Sequence, residues 1–241
     1  MTPSETPAYG LSLLVDKPLE WTSFDVVNKL RYTAKRITGR KKIKVGHAGT
    51  LDPLATGLVI ICIGSHTKTI NDLMGMDKVY EGTIRLGAST PSFDLETEVD
   101  QTYPLPDQKL EQLKQAAKQF EGEQDQIPPM FSAKKIDGKK AYEHARKGKE
   151  IELKAGRIRI DSFEVNDKSF PDIDFILRCS KGTYVRSLAR DFGKALGSGA
   201  HLTRLRRTKI GAFSIQDALT IEQAMQAIED DYFKYLKTNS L

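Results

Sequence analysis

Cysteine is scarce in this chain of 241 residues, which holds only Cys62 and Cys179. Both lie inside strand-like apolar segments, so they read as buried reduced thiols, and neither a disulfide framework nor a thiolate metal site is expected. The four histidines are scattered, with no second ligand at metal-binding spacing, so no metal centre is expected. Long hydrophobic runs are missing as well. The longest, Leu58 to Ile63, is far short of the ~20 residues that a bilayer crossing needs, and no signal peptide is visible. A cytoplasmic protein without membrane attachment is expected. Acid is absent from one stretch in particular: "RYTAKRITGRKKIK", Arg31 to Lys44, carries seven Lys or Arg and no Asp or Glu.

That stretch is the first of three basic runs. "KKIDGKKAYEHARKGK", Lys134 to Lys149, carries seven cations against two acids, and "RLRR" occupies Arg204 to Arg207. A single run is usually solvated surface. Three of them, within a net charge of +5 and a sequence pI near 9.0, point to a polyanion such as nucleic acid.

The periodicities predict one mixed α+β domain with mostly antiparallel strands. Residues 1–10 read as a flexible tail, with folding expected to begin near Leu11. "LSLLVDKP" is a strand stopped by Pro18, and a helix follows, capped by Thr22 or Ser23, with Phe24, Val27 and Leu30 as its apolar spacing. "LVIICIG" reads as a central strand, and a short helix runs through Met74. "KVYEGTIRLGAST" reads as a strand with Val79, Gly82, Ile84 and Leu86 on one side and Tyr80, Thr83 and Arg85 on the other. Residues 91–106 read as a loop or a short edge segment. "PDQKLEQLKQAAKQFEG" is an amphipathic helix closed by Gly122, and residues from about 124 to 152 form an inserted basic arm with one helix around Tyr142 to Arg146. "RIRIDSFEV", "DIDFILRCS" and "IGAFSI" read as strands, and "GTYVRSLARDFGKALG" and "TIEQAMQAIEDDYFKYL" as helices.

The stretch with most chemical content is "KVGHAGTLDPLATGLVIICIG", residues 44–64, which sets Asp52 among Gly46, Gly49 and Gly57. Pro53 pushes Asp52 toward an extended or turn conformation, and the glycines allow backbone geometry and close approach closed to other residues. Such a carboxylate is either a turn or cap acid or a group that does chemistry, and this stretch alone leaves the two evenly balanced. His47 has no Ser or Cys nucleophile beside it, so a triad is discounted while contact with nucleic acid stays open. Tyr80 reads as a core aromatic or as a stacking platform for an unpaired base, and Arg186 as a surface helix cation or as the partner of a buried acid.

In order along residues 11 to 212, "LLVDKPLEWTSFDVV", "GHAGTLDPLATGLVIICIG", "DKVYEGTIRLG", "IPPMFSAKKIDGKKAYEHARKG", "CSKGTYVRSLARDFG" and "GAHLTRLRR" resemble the motifs of the TruB-type pseudouridine synthases. The resemblance implies the pseudouridine synthase fold, α+β with a mixed, mostly antiparallel central sheet flanked by helices. It implies conversion of the uridine at tRNA position 55, in the TΨC stem-loop, to pseudouridine, with no cofactor, no metal and no guide RNA. It makes Asp52 the attacking carboxylate, Tyr80 the aromatic that stacks on the flipped uracil, and Arg186 the ion-pair partner of Asp52. Tyr184 and Leu205 become pocket walls and His47 a group near the vacated base position. Lys17, Pro18, Gly46 and Gly49 become supports of the active-site loop. Lys41, Lys42, Lys134, Lys135, Lys139, Lys140, Arg206 and Arg207 are expected at the RNA backbone.

Two features depart from the family pattern. "STPSFD" at Ser89 to Asp94 replaces an acid-rich stretch, and the C-terminal RNA-binding PUA domain of longer relatives is expected to be absent or vestigial. A monomer is favoured. The rival readings are an rRNA-directed or guide-dependent synthase, and a catalytically silent protein that binds or folds RNA on the same scaffold; intact Asp52, Tyr80 and Arg186 count against the silent form.

Overall fold

The computed structural model describes residues 9–106, 110–132, 135–136, 139–140 and 153–239. In chain order these form β1 (Gly10–Lys17), α1 (Ser23–Thr38), β2 (Val45–His47), β3 (Ala55–Gly64), a 3-10 turn, α2 (Ile70–Gly75), β4 (Lys78–Leu86), β5 (Ala88–Ser89) and β6 (Gln101–Thr102). They continue as α3 (Leu110–Lys118), β7 (Gly122–Gln126), β8 (Lys135–Ile136), β9 (Lys139–Lys140), β10 (Gly156–Ser169), β11 (Asp172–Cys179), α4 (Val185–Ala195), β12 (Ala200–Ile210), β13 (Phe213–Ser214) and α5 (Ile221–Asn239). The chain divides into two compact units, residues 1–76 with 206–241, and residues 77–205. No helix among the described residues is long and apolar enough to cross a membrane.

In the first unit β1 pairs antiparallel with β3 over its whole length, from Gly10 opposite Gly64 to Lys17 opposite Gly57, and β2 also pairs with β3. β3 reads as an unbroken apolar run because it is buried on both faces. Its even-numbered residues Leu58, Ile60 and Cys62 pack with Ala48, Ile210, Leu14, Ile70 and Phe213. Full burial of such a side chain contributes about 1.5–3 kcal/mol, so this short segment anchors the unit. α1 starts at a reciprocal capping box, in which the Thr22 hydroxyl accepts from Asp25 N–H and the Asp25 carboxylate accepts from Thr22 N–H. It ends at Gly39 in the left-handed conformation. The helix buries Val26, Val27, Leu30 and Ala34. Phe24, expected in that stripe, is 58% exposed, because it lies well off the line through those four; the Arg31 guanidinium sits 5.8 Å from its ring centroid. The expected tail also needs correction at its end. Tyr9 is buried with its ring edge-on to Tyr232 and Tyr235 of α5, and Gly10 already belongs to β1.

In the second unit β4, β11, β10 and β7 are joined in that order, each pair antiparallel. Phe163 packs edge-to-face with Phe120, Phe175 and Phe192 to form its aromatic core. β4 alternates strictly, burying Lys78, Tyr80, Gly82, Ile84 and Leu86. Tyr80 therefore shares a face with Gly82 and Ile84, and Val79 lies opposite, which corrects the grouping expected from the sequence. α3 ends at Lys118, and Gly122 opens β7 rather than capping the helix. The strands β7 and β12 were not expected. "GEQDQ" has no apolar alternation, since β7 is a polar edge that is mostly exposed, and β12 was masked by its four cations. Of the inserted arm, β8 and β9 form an antiparallel pair, Lys135 opposite Lys140, while the helix expected at Tyr142 to Arg146 lies outside the described residues.

Candidate active site

The first unit holds Asp52 in the loop between β2 and β3, and every backbone carbonyl of that loop from Gly49 to Pro53 has a donor. The Arg207 guanidinium donates to Gly49 O at 3.1 Å and Thr50 O at 3.4 Å, and its Nε donates to Leu58 O at 2.8 Å. The Ser23 hydroxyl, at the start of α1, donates to Leu51 O at 3.2 Å while accepting from Leu51 N–H at 2.8 Å. Ala55 N–H donates to Asp52 O at 3.1 Å. Pro53 O accepts from Glu20 N–H at 2.9 Å and from Lys17 Nζ at 3.3 Å. Five successive carbonyls held in this way make the loop rigid and leave the half-buried Asp52 side chain as its chemical group.

Gly57 explains how β12 comes close enough to supply one of those donors. Its φ is +106°, and a Cβ there would stand 2.3 Å from the Arg207 carbonyl oxygen. Only glycine permits both. Gly49 likewise sits at φ +100°, whereas Gly46 has ordinary φ and would press a Cβ against Ile70.

Lys17 is fully buried, with its ammonium on the carbonyls of Pro18 at 2.9 Å, Trp21 at 2.5 Å and Pro53. Burial pushes its pKa down to about 8, and the Asp52 charge works in the opposite direction. The two groups are thus electrostatically coupled. Burial also pushes the His47 imidazole below its ordinary value; a backbone hydrogen bond to Gly49 opposes this and the Arg207 charge adds to it, so His47 is neutral near pH 7. Pro18 is exposed beside a cleft of about 430 Å³ that Asp16, Trp21, Thr56, Arg206 and Thr220 also line.

The expected RNA-backbone residues part company here. Lys41 and Lys42 are exposed. Arg206 is half-buried, with its fork on the Asp16 carboxylate at 2.6 and 3.0 Å. Arg207 is 1% exposed and is corrected from a phosphate contact to an internal clamp, because a guanidinium hydrogen-bonded beneath the loop cannot reach RNA. Lys135, Lys139 and Lys140 lie in the β8–β9 pair, and Lys134 lies outside the described residues.

The second unit holds Tyr80, Tyr184, Arg186 and Leu205. Tyr80 is buried opposite Leu177. Arg186, on the first turn of α4, is 4% exposed, so the surface-cation reading fails. Its guanidinium donates to Phe131 O at 2.8 Å and Ser92 O at 3.2 Å and lies 3.5 Å from the Asp94 carboxylate. Asp94, the acid that ends the "STPSFD" stretch, is itself buried and accepts from Glu96 N–H at 2.9 Å. The loop carrying it bends at Phe93, which sits at φ +62° under the Arg190 guanidinium at 4.9 Å. Tyr184 is held by its backbone: its N–H donates to Gln126 Oε1 at 2.7 Å, and Gln126 Nε2 donates to its carbonyl at 3.1 Å. Leu205 is half-buried. Ser23 and Gln126 were missed because each bonds backbone far away in sequence, and Asp94 because its partner is the side chain of the distant Arg186, so none leaves a local pattern; the one available signal was a serine directly after the helix cap.

A family model described as the N-terminal domain of TruB family pseudouridylate synthases matches residues 35–185, and one described as the tRNA pseudouridylate synthase B C-terminal domain matches residues 186–238. The tRNA pseudouridine synthase B of Flavobacterium johnsoniae is 54% identical over 230 residues, covering 94% of this chain and 100% of that protein. That of Phocaeicola vulgatus is 55% identical over 213 residues, covering 88% and 91%. Among solved structures, a chain of a Cbf5-Nop10-Gar1 complex is 26% identical with a TM-score of 0.66, covering 95% of this chain and 56% of that one. A chain of an H/ACA RNP bound to a substrate RNA containing 2'-deoxyuridine is 26% identical with a TM-score of 0.63, covering 95% and 55%. This chain therefore spans little more than half of those two chains.

Proposed function

The chain belongs to the TruB family of pseudouridylate synthases, and on that premise we propose that it converts the uridine at position 55 of tRNA, in the TΨC loop, to pseudouridine in the cytoplasm. The reaction breaks the C1′–N1 bond, turns the uracil, joins C1′ to C5, and moves the C5 proton to solvent while N1 gains one. It needs one group near sugar and base, and a place to rotate the base. The observation that carries the reading is the loop of Gly49 to Pro53, whose carbonyls are all held while it presents Asp52. A carboxylate held in one place removes much of the entropy of finding the reactive pose. Asp52 is the attacking carboxylate, and the buried ammonium of Lys17, coupled to it, favours its ionised form.

A uridine in a folded loop is first extruded, which costs a few kcal/mol of unstacking and favours loops already partly open. Tyr80 stacks on the extruded uracil, with Tyr184, Arg186 and Leu205 as further substrate contacts and His47, neutral, near the place the base leaves. Lys41, Lys42 and the lysines of the arm supply phosphate attraction without sequence choice. The identity of 54–55% to the two tRNA pseudouridine synthase B proteins, against 26% to the chain of the Cbf5-Nop10-Gar1 complex, favours tRNA as the substrate. The test is pseudouridine mapping in tRNA and rRNA after incubation with purified protein. Pseudouridine at position 55 of tRNA is expected with the wild type and none with Asp52→Asn, whose tRNA affinity stays within a few-fold; turnover by Asp52→Asn would defeat the assignment.

A further inference from the structure

Arg207 was expected at the RNA and is instead inside the protein, a full cation whose hydrogen-bond partners among the described residues are three neutral carbonyls. Burying a guanidinium without a carboxylate is unfavourable unless dipoles converge on it, and here they come from both sides of the reacting loop. Gly49 and Thr50 lie just before Asp52, and Leu58 lies beyond it inside β3. Leu58 belongs to the most deeply buried strand, so it is a fixed reference point. The Arg207 backbone is pressed against Gly57, which fixes the origin of the side chain as well.

We propose that Arg207 is a positioning residue for the reaction: its guanidinium ties the N-terminal half of the Asp52 loop, at Gly49 and Thr50, to Leu58 of β3, so that the place of the carboxylate depends on this buried fork as well as on the donors that hold Leu51 to Pro53. The proposal rests on the reading of Asp52 as the attacking group. Lysine cannot substitute. Its single nitrogen lacks the planar array of donors that reaches Leu58 O, Thr50 O and Gly49 O at once. The effect belongs to turnover rather than to binding, because the group does not touch RNA, and a displacement of about 1 Å in a reacting group can reduce the rate by about a hundredfold.

The experiment uses the full chain with Arg207→Lys and Arg207→Ala, checking folding by circular dichroism and measuring single-turnover pseudouridine formation, tRNA affinity against salt, and hydrogen exchange of the loop amides. Turnover of Arg207→Lys is expected to fall by about a hundredfold, with tRNA affinity within about twofold, an unchanged salt slope and faster exchange at residues 49–52. Millimolar guanidinium, but not ammonium, is expected to restore part of the turnover of Arg207→Ala. Turnover of Arg207→Lys near the wild-type level would overturn the proposal, as would a loss of tRNA affinity with a shallower salt slope, which would return Arg207 to phosphate binding. Failure of both variants to fold would make the residue scaffold only. A wild-type protein that forms no pseudouridine would defeat the functional reading instead, and loop exchange left unchanged by Arg207→Lys would then still overturn the clamp.

Discussion

Lys17 carries consequential chemistry outside the reacting group, because its ammonium holds Pro53 O next to Asp52 and burial pushes its pKa down to about 8. With its folded pKa near 8 against 10.5 for a free lysine, it loses its proton within the working range. Turnover on tRNA is expected to fall along an alkaline limb with a midpoint near pH 8. In Lys17→Met that limb should vanish, leaving turnover low and flat from about pH 7 to 10, since the cation that titrates is gone. The sign for stability is opposite. A lysine whose folded pKa is depressed leaves the unfolded chain holding more protons between 8 and 10.5, so this group makes folding more favourable as pH rises through that window. An activity loss that tracked a fall in thermal stability would therefore not be explained by Lys17.

At the scale of elements, the structure assigns helix and strand ends to jobs beyond their own hydrogen bonding. α1 begins with Thr22 closing the capping box and Ser23 gripping Leu51, so one turn both starts a helix and anchors the Asp52 loop. α4 begins with Arg186 reaching the Ser92 to Asp94 loop. The arm carrying β8 and β9 is different in kind, being a set of cations with little apolar content. Changing Lys134, Lys135, Lys139 and Lys140 together to glutamine is expected to weaken tRNA binding and to make log K against log salt shallower, by up to roughly 0.7–0.9 for each phosphate left without its lysine. Equilibrium binding at several salt concentrations checks it, and an unchanged slope would take the arm off the RNA.

For the molecule as a whole, a ligand that binds only the folded chain stabilises it by mass action. tRNA at a hundred times its dissociation constant adds about 2.7 kcal/mol. For a chain of this size each kcal/mol moves the melting temperature by about 2–4 °C, so scanning calorimetry with saturating tRNA is expected to show a rise of roughly 5–10 °C. Asp52→Asn should show the same rise, because it alters chemistry and not grip. A variant shift much below that of the wild type would mean that Asp52 contributes to binding.

Composition, periodicity and motif order determined that this is an α+β chain with basic runs, where most of its strands and helices lie, and which carboxylate to examine. Those properties are local: β3 announces itself because burial on both faces demands an apolar run, and the α1 cap because the box spans four residues. Tertiary structure decided what local pattern cannot express. Arg206 and Arg207 are neighbours in one basic run, yet Arg206 is half-exposed on Asp16 and Arg207 is sealed beneath the Asp52 loop. Strand alternation gives adjacent side chains opposite faces, and only the pairing of strands distant in sequence says which face meets solvent and which meets the carbonyls of Gly49, Thr50 and Leu58.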